Sequence, residues 1–444
     1  MKTYWSQSFI ITVFVFFMLW VGSLVSNMGI FNALDTVSAA LKDFRMTDYV
    51  FSNLREDPLV DERIVLVNIG TLDRRGMAQE IQILNSYHPR VIAYDGFFNC
   101  EGGLYDTLNC PQLLDTLGNL MLASAIADAN KFVLGSKLMQ TDSVARYDVE
   151  YYDSLEISDP MFMTKAHVGF VSLPTDATYQ EDVKLCRTIF PQWVVNGKQQ
   201  LAFSTQVANQ YDSLVTKKYL DRQMKEEWIN FRGNIEVRTF RFKTEKMNET
   251  STTNFKTMFY AVDPDQLFRG EVEPEMFRDK IVILGYLGDY LGDPAWEDKF
   301  FTPLNNKVAG RANPDMFGPV LHANVVAMIL NEDYINIIPD VGSYFVAFLV
   351  CLFTIALFIL IDTRLPIWFD ALSFIIQVVL LIILTTIIIL SFMYFNLMLE
   401  LSLAMGVTAL VGPCYDIFKS LQNEWNRRFT KPAPAGITKE EEPV

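Results

Sequence analysis

Three stretches of this chain carry no charge: residues 9–25 (FIITVFVFFMLWVGSLV), 343–361 and 371–399, the last broken only by a Tyr394-Phe395-Asn396 turn. A helix needs roughly 20 apolar residues to cross about 30 Å of hydrocarbon. The pattern therefore predicts four membrane spans, at 8–26, 343–361, 369–391 and 395–414. One long polar stretch, 27–342, lies between the first two and must stand on one side as a single domain. Half of the 444 residues are hydrophobic, yet the formal charge is −15. Seven of the 37 Lys and Arg and eight of the 52 Asp and Glu fall outside the polar stretch, so it holds −14 of that charge. Such an acidic surface excludes nucleic acid as a partner, because phosphate recognition needs a basic stripe.

Flanking cations set the orientation through the positive-inside bias. Lys2 precedes the first span, Arg364 follows the second, and Lys419, Arg427, Arg428 and Lys431 follow the fourth. All lie inside if residues 1–7 and 415–444 are cytoplasmic, which puts 27–342 outside. The first run is longer than a usual signal-peptide core and no A-x-A-like site follows directly, so an uncleaved anchor is expected. Ionisable groups inside spans are functional candidates. Asp370 is placed at the inner end of the third span. Glu400 is placed about 9 Å deep in the fourth at helical rise, where it needs a subunit partner, snorkelling or protonation. Trp425 with Arg427 and Arg428 reads as an interfacial anchor.

Cys351 and Cys414 lie within predicted spans as packing residues. Cys100 and Cys110 flank a Gly-bearing loop (CEGGLYDTLNC) in the outer domain, where oxidation is permitted. A disulfide closing that loop and two free thiols both fit the residues. Cys186 reads as a buried thiol. No C-x-x-C pair or His cluster appears among the five cysteines and three histidines, so neither a zinc site nor a cofactor is expected.

Within the outer domain, Leu34, Val37, Leu41, Phe44, Phe51 and Leu54 recur at helical spacing, predicting a helix over 34–54. Short apolar runs then alternate with helical segments. Arg63–Gly70, Val91–Asp95 and Phe132–Gly135 read as buried strands, with helices at 78–87 and 113–130. Strand–helix–strand–helix–strand is the pattern of a mostly parallel α/β sheet with helices on both faces. Further strands are predicted at 167–173, 183–197 (with an Asn196-Gly197 turn), Trp228–Phe231 and Lys280–Gly285. Helices are predicted at 200–212 and His322–Leu330. The polar segment 243–256 reads as a loop, and the tail after about 430 as disordered.

The phrases LKDFR, DERIVLVNIG, PRVIAYDGFF and INFRG occur here in order, followed by FRDKIVILGYLGDYLGD, FFTP and MFGPVLHANVVAMILNEDYI. Together they resemble the second type of the cyclase/histidine-kinase-associated sensory extracellular (CHASE) domain, over roughly residues 34–340. Three spans following directly are also that family's arrangement. The resemblance implies a bacterial inner-membrane receptor that passes a conformational signal inward. Members usually continue into a cytoplasmic cyclase or kinase. Only about 30 residues follow the last predicted span here, so a separate membrane or cytoplasmic partner is expected to read the signal. Gly70 departs from the family, where Asp is common, and a homodimer is expected by analogy only.

Ligands of parallel α/β sheets bind at the carboxyl ends of strands. Gly70, Asp73, Asp95 and Gly285 through Asp289 fall at or just after such ends, and Asp293 and His322 belong to the same phrases. Asp73, Asp95, Asp289, Asp293 and His322 are therefore the candidate ligand-binding residues. Each has a structural alternative: Asp95 can cap a turn, Asp293 before Pro294 can start one, and His322 can cap the helix it precedes. The run Gly285, Gly288, Gly292 lacks the Lys-Ser/Thr of a phosphate loop. No nucleophile–base constellation appears, so no catalytic residue is assigned and an enzyme is not expected. The expected function is a ligand-binding sensor. The alternative is a scaffolding subunit of a multi-protein envelope complex.

Overall fold

Short β-branched runs ended by Gly or a polar residue become the strands of one sheet. In the computed structural model, which describes residues 2–26, 46–55, 59–100, 110–141, 151–175, 184–235, 258–294, 298–305 and 314–429, these strands are β1 (Ile64–Asn68), β2 (Val91–Tyr94), β3 (Phe132–Met139), β4 (Ser154–Glu156), β5 (His167–Phe170), β6 (Tyr260–Val262) and β7 (Ile281–Gly285). They lie in the order β6-β1-β7-β2-β3, and β3 also pairs with β4 and β5. Every pairing is parallel except β3 with β4. The last strand in sequence, β7, inserts between the first two, with Val282 beside both Val65 and Ile92.

Alternate residues of a strand face opposite ways, and both faces are covered. Val65, Val67, Ile92, Tyr94, Phe132, Leu134, Val282 and Leu284 pack with α2 (Arg74–Ser86) and α3 (Thr116–Asp128), numbering the N-terminal helix Lys2–Ser26 as α1. Their alternates Leu66, Ala93, Val133 and Ile283 are equally buried. They face a layer containing α4 (Phe203–Tyr211), α5 (Ser213–Leu220) and, after the short α6 (Pro264–Phe268), α7 (Gly318–Leu330). Ile81, Leu84, Leu122 and Ile126 are almost fully buried, each worth about 1.5–3 kcal/mol of transfer free energy.

Carboxylates start the outer helices. Asp73 accepts from Gly76 N at 2.8 Å to open α2, and Asp115 accepts from Gly118 N at 3.1 Å to open α3. Helix α7 begins four residues before the predicted His322, because Pro319 sits in the first turn, where a missing N–H is harmless. Every α7 residue from Pro319 to Leu330 is buried. Asn196 and Gly197 take positive φ and turn Gln192–Val195 back onto Lys198–Leu201. Of the helix expected over 34–54, only Met46–Leu54 is described: one helical turn and a wider one, held by a 2.6 Å Arg187–Asp48 ion pair. The expected loop 243–256 and the tail after 430 lie outside the described residues.

Contacts divide the chain into a sheet unit, Asp43–Ile335, and a helical unit, Met1–Lys42 with Asn336–Val444. The helical unit holds α1, α8 (Asp340–Arg364), α9 (Phe369–Phe395) and α10 (Ser402–Phe429). Among the described residues three helical stretches are long and apolar enough to cross a membrane: Tyr4–Gly22, Asp340–Arg364 and Pro366–Phe395. The start of the predicted fourth span, 395–414, is corrected. Asn396 is left-handed and ends α9, Leu397–Met398 pairs with Asn336–Ile337, and α10 starts only at Ser402. It continues through Pro413, which leaves the Ala409 carbonyl without its helical donor. Gln377 of α9 donates to the carbonyls of Thr408 at 2.9 Å and Ala409 at 3.4 Å.

Candidate functional site

The chain leaves β1 and β2 toward the α2–α3 layer but leaves β7 toward α7 on the opposite face. Adjacent strands whose connections part in this way open crevices at their carboxyl ends. Strand β7 has one on each side.

The crevice between β1 and β7 is filled by Asn68, a fully buried polar residue at the end of an apolar strand. Its Oδ1 accepts from Gly70 N at 3.0 Å and Leu287 N at 2.9 Å. Its Nδ2 donates to Asp263 Oδ1 and to the Gly288 carbonyl, both at 2.9 Å. Asp263 follows β6, accepts from Leu291 N at 3.0 Å and closes a capping box with Gln266. Gly70 and Gly288 take φ of +47° and +98°, turns that suit glycine because a Cβ clashes there.

The crevice between β7 and β2 is different. Asp95 is fixed by its N–H to the Leu284 carbonyl at 2.8 Å. Its side chain is only 10% exposed, and its Oδ1 lies 3.8 Å from His322 Nε2. Among the described residues no hydrogen-bond donor reaches the Asp95 carboxyl. His322, 1% exposed, packs against Phe203 and bonds the main chain at Val171, while its Nδ1 has no partner. Burial, and then the nearby Asp298 charge, pushes the Asp95 carboxyl up to about 7. Burial holds the His322 imidazole down at about 3. Near neutrality His322 is therefore uncharged and Asp95 is close to half-protonated. Glycines let the elements close in around this crevice: Pro319 packs where a Cβ on Gly285 would lie, and a Cβ on Gly318 would sit 3.3 Å from Asp95 Oδ2.

Of the five predicted ligand residues, Asp95 and His322 meet here. Because α7 starts earlier, His322 lies inside the helix and caps nothing. Asp289 and Asp293 form a second pair in the turn after β7, with Asp289 N donating to Asp293 Oδ2 at 3.0 Å. Asp73 stands apart as the cap of α2. Cys100 and Cys110 are joined in a disulfide. Glu400 is exposed and precedes α10, so the 9 Å depth that a helix from residue 395 implied is corrected. The sequence reading missed Asn68 and Asp263. A lone Asn inside the apolar run IVLVNIG was the available signal for the first. It also missed Glu80 of α2, fully buried with neither carboxyl oxygen bonded and pushed up to about 8 by burial. No group of three His, Cys, Asp or Glu able to hold a metal occurs among the described residues.

A family model for the CHASE2 domain matches residues 13–358, most of the chain. The chain belongs to the CHASE2 family. CHASE2 is a family of sensory extracellular domains, and with three candidate membrane helices this member is a membrane protein. Nothing among the curated proteins or the solved structures matches it. The phrases that mark CHASE2 in this sequence are tied together in space. Asn324 of the His-Ala-Asn run accepts from Arg232 N at 2.7 Å and Gly233 N at 3.1 Å in the INFRG turn. Asp315 accepts from Thr302 N at 2.9 Å and Oγ1 at 2.6 Å, joining the FFTP segment to the start of α7. These residues brace the α7 end of the Asp95 crevice.

Proposed function

We propose that this CHASE2 protein is a bacterial inner-membrane sensor whose sheet unit stands outside the membrane and binds a ligand in the β7–β2 crevice. A separate protein reads the resulting movement through four membrane helices, and the chain itself performs no catalysis. One observation carries this: Asp95 and His322, 227 positions apart in sequence, meet at a strand-end crevice as buried polar side chains with unused hydrogen-bonding atoms. Such groups are unfavourable in a folded protein unless something else uses them.

The four-span topology has its own support. Asn336 N donates to the Asn396 carbonyl at 2.8 Å at one end of α8 and α10. Lys419 pairs with Asp362 at 2.6 Å at the other. Helix α10 therefore covers the same depth as α8, although Asp416 and Lys419 dilute its apolar character. Arg364, Lys419, Arg427 and Arg428 cluster toward that second end, which the positive-inside bias assigns to the cytoplasm together with both termini.

The test is a titration of the purified full chain in mild detergent with small-molecule extracts of the cell envelope, following the unfolding midpoint. A rise abolished by Asp95→Asn supports a sensor that reads its ligand in this crevice. A rise that survives both Asp95→Asn and His322→Phe moves the ligand elsewhere. Stoichiometric recovery of other membrane proteins without any shift favours a scaffold.

A further inference from the structure

The groups around Asp95 share one bias. His322 offers a bare ring nitrogen, Asp298 adds negative charge, and the Tyr94 phenol on the same strand stays protonated because burial pushes its pKa far up. The neighbouring cation is engaged elsewhere: Lys299 Nζ donates to the Asp293 carbonyl at 2.9 Å and lies over the Phe317 ring. Helix α7 points its uncapped amino end at the crevice, but Asp95 already supplies the anion that such an end favours. A second anion would meet it directly. A divalent metal wants several oxygen or nitrogen side-chain ligands, and the described residues offer no such group. A compact ammonium head brings three N–H donors and one positive charge, which is what one unpaired carboxyl and one unpaired ring nitrogen lack. A Cβ on Gly318 would meet Asp95 Oδ2 at 3.3 Å and otherwise only the Phe300 ring at 3.9 Å, so the space on this side of the carboxyl admits a small head.

Building on the sensor function above, we propose that the ligand is a small primary amine bound as its ammonium ion, with its charge on Asp95 and one N–H on His322 Nδ1. The group that binds it is the ionised carboxylate. Because Asp95 titrates near 7 in the free protein, binding displaces a proton and tightens as the pH rises through that value. His322 stays neutral across this window, because burial holds its imidazole down at about 3.

The experiment uses the full chain in detergent at pH 7.5 and follows the unfolding midpoint with methylammonium chloride against equal sodium chloride, tetramethylammonium chloride, sodium acetate and acetamide. Methylammonium is expected to raise the midpoint by several degrees in a saturable way, with no rise from tetramethylammonium, which has no N–H. Asp95→Asn is expected to remove the response. Gly318→Ala, which adds a methyl group beside Asp95 Oδ2, is expected to weaken it and serves if the Asn variant does not fold. A flat wild-type response to methylammonium, or an equal rise in both variants, overturns the proposal. If acetate or acetamide instead gives an Asp95-dependent rise, the amine class falls and the crevice stands as the binding site. If neither these probes nor the envelope extracts give one, both fall.

Discussion

On one side of β7 the Asn68 amide uses all four of its hydrogen-bonding positions on Gly70, Leu287, Asp263 and Gly288. On the other side Asp95 and His322 approach to 3.8 Å, His322 Nδ1 has no partner, and among the described residues no donor reaches the Asp95 carboxyl. The strands, their register and the neighbouring glycines are alike, so sheet geometry alone does not account for the difference. The first crevice is closed by the protein's own side chain and holds three strand ends, β6, β1 and β7, in place. The second has its backbone braced, while the Asp95 carboxyl and His322 Nδ1 find no hydrogen-bond partner among the described residues. The incomplete crevice is where the proposed ligand would supply the missing partners.

The largest effect expected from this contrast is at Asn68. Asn68→Leu keeps the approximate volume but leaves the Gly288 carbonyl and the Gly70 and Leu287 N–H groups without their partner and takes one bond from Asp263. With about 1–3 kcal/mol for each buried group left unsatisfied and some relaxation, the sheet unit should lose about 3–5 kcal/mol, read as a fall in the unfolding midpoint of the full chain. A change below about 1 kcal/mol would mean that water replaces the amide, and the two crevices would no longer differ in kind.

That contrast was only half legible in the sequence. Strands ending in Gly70, Asp95 and Gly285 could be read from apolar runs, and so could a parallel sheet covered on both faces. Asp95 was visible because a carboxylate at such an end stands out. Asn68 was not, since one amide inside IVLVNIG does not declare its partners, and Asp263 lies 195 residues away. The start of α7 was hidden by Pro319, which punctuates a sequence but is at home in a first helical turn. Residues 397–401 were apolar enough to pass for a span. Only the left-handed Asn396 and the pairing with Asn336–Ile337 show that they are used as a connection.

Glu80 separates simple burial from the crevice. It is as deeply buried as Asn68 and neither carboxyl oxygen is bonded, but it lies on α2, in the layer that packs on the sheet face opposite α7. Its native pKa, about 8, lies above the ordinary carboxylate range. Its stabilising contribution is therefore full at low pH and fades as the pH rises through about 8. Glu80→Leu should raise stability at pH 8 by about 2 kcal/mol, since it removes an unpaired buried acid, and should leave the methylammonium response intact. A destabilised variant would reveal a partner for Glu80 and remove it as a comparison.

Asp95→Asn should move stability in the direction opposite to Asn68→Leu. The native carboxyl, raised to about 7 by burial and Asp298, holds its proton where the unfolded chain has lost it. The wild type is thus fully stabilised below about pH 4 and loses that stabilisation as the pH rises through 7. His322, lowered to about 3, works the other way and loses stabilisation as the pH falls from about 6.5, so the Asp95 contribution is read as the difference between wild type and variant. Asp95→Asn should be more stable by about 1–2 kcal/mol at pH 8, and that gain should shrink toward zero near pH 4. A loss of stability at pH 8 would place a hidden donor on the carboxyl and make this crevice as complete as the other.

Asp73 gives the smallest effect and the cleanest separation of a strand-end carboxylate that builds the fold from one that does not. It follows the end of β1 by five residues, and its Oδ1 is committed to Gly76 N at 2.8 Å as the cap of α2. Removing a capping carboxylate costs about 1 kcal/mol, so Asp73→Ala should lower the unfolding midpoint modestly and leave the amine-dependent rise unchanged. Asp73→Asn should recover most of the loss, because an amide oxygen accepts the same bond. Asp95→Asn should raise basal stability and abolish the rise. The opposite signs of the two Asp variants, measured in the same buffer at pH 8, distinguish a carboxylate whose partner is in the chain from one whose partner arrives from outside.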